Sequence, residues 1–156
     1  MPLRRLRSLD LKLGGTRDLR LAPRVGELRY LELWLIKGLD DVSVVGEIPT
    51  LRSLFLQALR NVVRLPDLGR ATSLRRVHLE TMRGLRELGP LATAPALEQL
   101  VLIDMPQLQV DDLQPLRDAP ALREVTLALG SIRRNAEAKA VLGLPAVETP
   151  FDWRAG

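Results

Sequence analysis

The sequence predicts an α/β solenoid: a right-handed coil whose short strands stack into one curved parallel sheet. Three observations predict it. Leucine makes up about a fifth of the 156 residues while aromatics are only 3%, so one aliphatic packing solution is being reused. The spacing L-x-x-L-x-L recurs at Leu6-Leu9-Leu11, Leu28-Leu31-Leu33, Leu51-Leu54-Leu56, Leu74-Val77-Leu79, Leu97-Leu100-Leu102 and Leu122-Val125-Leu127. The starts lie 22, 23, 23, 23 and 25 residues apart, and a degenerate seventh copy, Leu144-Val147-Thr149, follows 22 later.

Each element follows from that register. The last two aliphatics of every copy alternate with residues expected to be exposed, the period of a half-buried strand. One copy cannot bury its leucines alone, but stacked copies can, and their strands then form a parallel sheet of about six to seven short members. The apolar register continues past the strand. Leu39, Val62, Leu85 and Leu108 hold the twelfth position of copies two to five. The return arms carry Pro49, Pro66, Gly69, Gly89, Pro90, Pro95, Pro115 and Pro120, which favour turns and short 3₁₀ pieces and so a thin convex side. Residues 133–142 (RRNAEAKAVL) are good helix formers stopped by Gly143 and Pro145, so a C-terminal helix is expected to lead into a last strand near Val147. Phe151 and Trp153 are expected to cover that open end. At the other end only Met1–Arg5 precede the first copy, a meagre cap that predicts partly exposed Leu3 and Leu6 or a docked neighbour.

The repeat resembles the leucine-rich repeat family over essentially the whole chain, with a variant similar to the L-x-x-L-P-x-L type in Leu65-Pro66-Asp67-Leu68. It departs from the family at the ninth position, where Asn or Cys is usual. Here the residues are Gly14, Ile36, Leu59, Met82, Met105 and Gly130. Without an Asn ladder, the backbone groups inside the bend must find other partners. The resemblance implies one domain over residues 1–156, with repeats starting near 6, 28, 51, 74, 97 and 122 and a C-terminal cap over 130–156. It also implies a non-catalytic module that binds a macromolecular partner on the concave sheet face. The alternative is the C-terminal structural or ligand-sensing portion of a larger receptor, effector or immunity protein.

Composition narrows the function classes. There is no cysteine and one histidine, His78, which argues against disulfides, thiolate metal sites and a histidine metal cluster. The pairs Asp40-Asp41 and Asp111-Asp112 read as turn charges, because no loop-spaced oxygen set accompanies them. Gly14-Gly15 reads as a turn, since no G-K-[ST] follows. No constellation of nucleophile, base and acid is visible, so no enzyme and no cofactor are expected. The N-terminus lacks the apolar core of a signal peptide and no apolar run reaches about 20 residues, so a cytoplasmic protein with no membrane contact is the expectation. The arginine-heavy composition suggests a bacterial scaffold-type protein. Net charge is +4, with +6 in residues 1–80 and −2 in residues 81–156, so an acidic partner would be drawn to the first half. Interleaved acids and sparse aromatics argue against nucleic acid.

The concave face should display the third, fifth and seventh positions of each copy. Tyr30, Trp34 and Phe55 map there, and none of the five aromatics takes a leucine position. With His78, Val101 and Ile103 they form a band across copies two to five, expected to anchor a protein or peptide. Scattered apolar surface residues are the plainer reading. The second position repeats arginine at Arg7, Arg29, Arg52, Arg75 and Arg123. That column is a candidate strip for acidic partners, although a solvated row paired with Glu27, Glu32, Glu80 and Glu124 explains it as well. The oligomeric state is expected to be monomer or a dimer through the weakly capped N-terminal end.

Overall fold

A computed structural model describes residues 5–155 of the chain. It contains six five-residue strands: β1 (Ser8–Lys12), β2 (Tyr30–Trp34), β3 (Ser53–Gln57), β4 (Arg76–Glu80), β5 (Gln99–Ile103) and β6 (Glu124–Ala128). All neighbours pair in parallel in the order β1-β2-β3-β4-β5-β6. The register matches equivalent positions of successive copies, as in Leu31↔Leu54, Leu54↔Val77 and Val77↔Leu100. Every predicted strand therefore exists except the seventh. At residues 144–149 one ladder-type bond forms, from the Val125 N–H to the Pro145 carbonyl at 2.8 Å, and no strand follows. Pro145 and Pro150 have no N–H to donate, and the chain turns away from the stack.

The core is the repeated aliphatic set. Fourth- and sixth-position residues of copies two to six are 0–5% exposed, and the ninth- and twelfth-position side chains of copies two to five join them. Each buried leucine contributes on the order of 2 kcal/mol of transfer free energy. The first coil is different. Leu6, Leu9 and Leu11 are half-buried, and Leu13 is 70% exposed, because among the described residues this coil has one neighbouring coil. Leu3 lies outside the described residues.

Each of the first five strands ends at a residue with positive φ: Leu13, Leu35, Ala58, Thr81 and Asp104, all at 49–54°. None is glycine, so each carries about 1 kcal/mol of left-handed strain. The geometry turns the chain out of the sheet while keeping a bond to the next coil, as in Ala58 N–H to Glu80 O at 3.0 Å. The return arms are 3₁₀ turns at Ala22–Arg24, Ser43–Glu47 and Val110–Asp118, and one helical turn, α1 (Gly89–Ala92). The thin far side predicted from Pro and Gly is what forms. Asp41 and Asp112 act there as backbone acceptors, for Ser43 N–H and Gln109 N–H, both at 2.8 Å.

In place of an Asn ladder, other groups satisfy the inner bend. Gln107 Nε2 donates to the carbonyls of Met82 (2.7 Å) and Leu85 (2.8 Å), and Met82 N–H points at the Met105 sulfur (3.3 Å). In the last coil Asn135 Oδ1 accepts the Leu129 N–H at 2.7 Å. Asn135 belongs to α2 (Ile132–Leu142), one residue longer than the predicted helix. Ser131 caps its start by accepting from Arg134 N–H, and Gly143 ends it at φ 63° with its N–H on the Lys139 carbonyl. These are the N-cap and left-handed C′ roles expected of Ser and Gly. α2 packs on the 3₁₀ segment Val110–Asp118 and on β6, with Ala138 fully buried. This helix is what covers the last coil. Phe151 and Trp153 do not.

Candidate functional site

The sheet's open face is built by strand alternation. The fourth and sixth residues point into the core, so the third, fifth and seventh point outward in three columns. The third-position column is Ser8, Tyr30, Ser53, Arg76, Gln99 and Glu124, and the register sets these side by side. It was expected to lie open. Instead Ser53, Gln99 and Glu124 are 5%, 2% and 8% exposed.

The chain's own C-terminal tail covers them. After α2 the segment 145–155 crosses the open face from the last coil back to the second. Val147 N–H donates to Thr126 Oγ1 (3.1 Å) and Glu148 N–H to Glu124 Oε2 (3.3 Å). Gln99 Nε2 donates to the Thr149 carbonyl (2.9 Å) and to Glu124 Oε2 (3.3 Å). Trp153 then stacks on Tyr30, with ring centroids 5.3 Å apart and an angle of 29° between planes. Its ring also meets the Arg154 guanidinium at 4.5 Å. Arg52 Nη1 donates to the carbonyls of Trp153 (3.5 Å) and Ala155. The placement of Phe151 and Trp153 over the end of the core is thus corrected: an aromatic partner on the sheet face, Tyr30, takes the tryptophan ring.

The six residues expected to form one exposed band divide into four groups. Tyr30 is engaged with the tail, and its hydroxyl donates to Glu32 Oε2 at 2.5 Å. Burial first, and then this bond, push its ionisation well above the usual phenol range. Phe55 and His78 are half-buried neighbours whose rings lie 4.2 Å apart. Val101 is only 6% exposed. It is a small side chain between His78 and Thr126 on the flanking strands, so it is not a surface contact. Trp34 and Ile103, in the seventh-position column with Gln57 and Glu80, remain half-exposed. Lys12 Nζ sits 5.9 Å from the Trp34 ring centre and pairs with Asp10 (2.9 Å) and Glu32 (3.3 Å).

The arginine column is not a uniform strip. Arg75 and Arg123 clasp Glu98, the one acid in the column, at 2.6 and 3.0 Å. Arg123 also reaches Glu124 at 2.7 Å. Arg52 holds the tail, and Arg29 is also engaged, while Arg7 on the first coil is exposed. The acids that engage Arg75 and Arg123 are Glu98 and Glu124. Of these, only Glu124 was among the four anticipated.

His78 sits against Phe55 with Nε2 3.1 Å from Glu80 Oε2. Burial lowers its pKa, and the Glu80 carboxylate offsets this only in part. An imidazole whose folded pKa lies below its unfolded value resists a proton that the unfolded chain accepts, so stability falls as pH drops through the ordinary histidine range. We expect the urea midpoint to be lower at about pH 5.5 than at about pH 7.5, and the difference to shrink in His78→Phe. An unchanged difference in that variant would assign the pH dependence to other groups.

No helix among the described residues is long and apolar enough to cross a membrane. No family model matches the sequence, and no curated protein matches it. Among solved structures, an internalin (inlF) from Listeria monocytogenes strain 4b F2365 is similar, with a TM-score of 0.50 and 18% identity. The likeness covers 86% of this chain and 46% of the internalin chain, so this chain spans just under half of that structure. At such identity the likeness speaks to fold alone. Taken with six parallel strands at one repeated register, it establishes that the chain folds as an α/β leucine-rich repeat solenoid.

Proposed function

We propose that the chain is a non-catalytic member of the leucine-rich repeat family that binds a protein partner on the open side of its sheet face. The observation that carries this reading is the division of that face. The third-position column is occupied by the tail, whereas Trp34, Gln57, Glu80 and Ile103 stay half-exposed on the parallel sheet. Trp34 and Ile103 are three strands apart, about 14 Å at the usual strand spacing. An extended peptide of about four residues spans that distance. Two apolar anchors that flank an amide and a carboxylate fit a partner segment with apolar side chains around a basic or hydrogen-bonding one. The candidate contacts are Trp34, Phe55, His78 and Ile103, with Tyr30 as part of the tail's seat.

The test compares the unaltered chain with the triple variant Trp34→Ser/Phe55→Ser/Ile103→Ser. A partner recovered by affinity purification is then purified and titrated against both. We expect at least about a hundredfold weaker binding by the variant, since each buried anchor contributes about 2 kcal/mol or more. Its thermal melt should stay close to that of the parent. A partner bound equally by both chains would refute this surface.

A further inference from the structure

Between the tail and the sheet lies a cavity of about 490 Å³, within the range of small-molecule sites. Its walls are the rings of Tyr30, Phe55 and Trp153, and its polar lining includes Ser53, Arg76 and His78. We propose that this cavity is a binding site for a small planar aromatic monocarboxylate, held at its acid group by Arg76 and at its ring by Tyr30, Phe55 and Trp153. This goes beyond protein binding and rests on separate observations.

The first is the state of Arg76. Its Nη1 donates to Gln99 Oε1 at 3.2 Å, a neutral amide. Gln99 is nearly fully buried and its own amide nitrogen is committed to Glu124 and Thr149. Among the described residues no carboxylate stands at ion-pair distance from Arg76. Lys12, Arg75, Arg83 and Arg123 each have one. A guanidinium carries five N–H donors, so the fork that matches a carboxylate in two parallel bonds is largely unused.

The second is the company it keeps. Tyr30 directs its hydroxyl to Glu32. His78 hydrogen-bonds Glu80, and burial disfavours its cationic form. Arg52 is turned onto the tail carbonyls, and Glu148 is the acid on the tail side. Among the described lining residues Arg76 is thus a guanidinium with no carboxylate at ion-pair distance, which suits a single carboxylate, while Glu148 in the same lining disfavours a phosphate dianion. The aromatic side chains of Tyr30, Phe55 and Trp153 in the lining favour a flat ring, which packs against such groups at about 4.5–7 Å between centroids.

The probe is 2-naphthoate, titrated into the full chain by calorimetry and by tryptophan fluorescence. The control is 2-naphthamide, which has the same ring without the charge. We expect saturable binding of the acid with quenching of Trp153. That signal should persist in Trp34→Phe, which removes the only other tryptophan. The amide should bind at least about tenfold more weakly, and Arg76→Gln should weaken the acid by a similar factor. Arg76→Lys, which keeps the charge and loses the fork, should fall between. No saturation below about 5 mM, or equal affinity for acid and amide, would overturn the proposal. Because the acid–amide comparison uses the unaltered chain, it holds even if an Arg76 variant folds poorly.

Discussion

Leu79→Ala is expected to lower the unfolding free energy by about 3 kcal/mol, and Leu11→Ala, at the same repeat position, by about 1 kcal/mol. Leu79 is completely buried on β4, in register between Leu56 and Leu102, which are also completely buried. Truncation there opens a cavity shared by three coils, and neighbours held by their own coils cannot collapse into it. Leu11 is half-buried and, among the described residues, has a neighbouring coil, that of Leu33, on one side only. Urea denaturation of the two variants measures the contrast. Equal losses would contradict a core made of coil-to-coil interfaces of unequal completeness.

The second large effect is local. Trp153→Ala removes the ring stacked on Tyr30 and the platform beneath Arg154. Stacked aromatic pairs contribute about 0.5–1.5 kcal/mol beyond the area they bury, so the tail should open at least about tenfold more often. Hydrogen exchange should report this at the Val147 and Glu148 amides, whose bonds to Thr126 and Glu124 depend on the tail staying down. The global urea midpoint should move little, because the segment 145–155 supplies no side chain to the leucine core. Unchanged exchange at those two amides would mean that the polar bonds hold the tail without the ring.

Most of the fold was legible because it is periodic. A residue every second position, repeated about every 23 residues, reports burial directly, and Leu31, Leu54, Val77 and Leu100 all lie where that period put them. The final helix was legible from its formers and its Gly143 stop. The tail was not. Leu144-Val147-Thr149 keeps the repeat spacing, so pattern alone predicts another strand. The path is decided by tertiary partners more than a hundred residues away, Tyr30 and Arg52. Aromatic residues just past the last coil did signal burial, but a sequence does not say against what. Val101 failed for a related reason. Its column marks it as outward-facing, yet a valine between His78 and Thr126 is closed over by its neighbours. The arginine column held a clue in its single break, since Glu98 is the side chain that Arg75 and Arg123 converge upon.

The strained turn after each of the first five strands and the tail across the face act on the same degree of freedom. Stacked coils joined only to their neighbours bend easily, because small rotations at successive interfaces add up. A segment anchored at Thr126 on one coil and at Tyr30 four coils away works as a bowstring does on a bow. It fixes the chord, so flattening the arc must stretch or release the string, and the curvature presented to any visitor is set by eleven residues that belong to none of the coils.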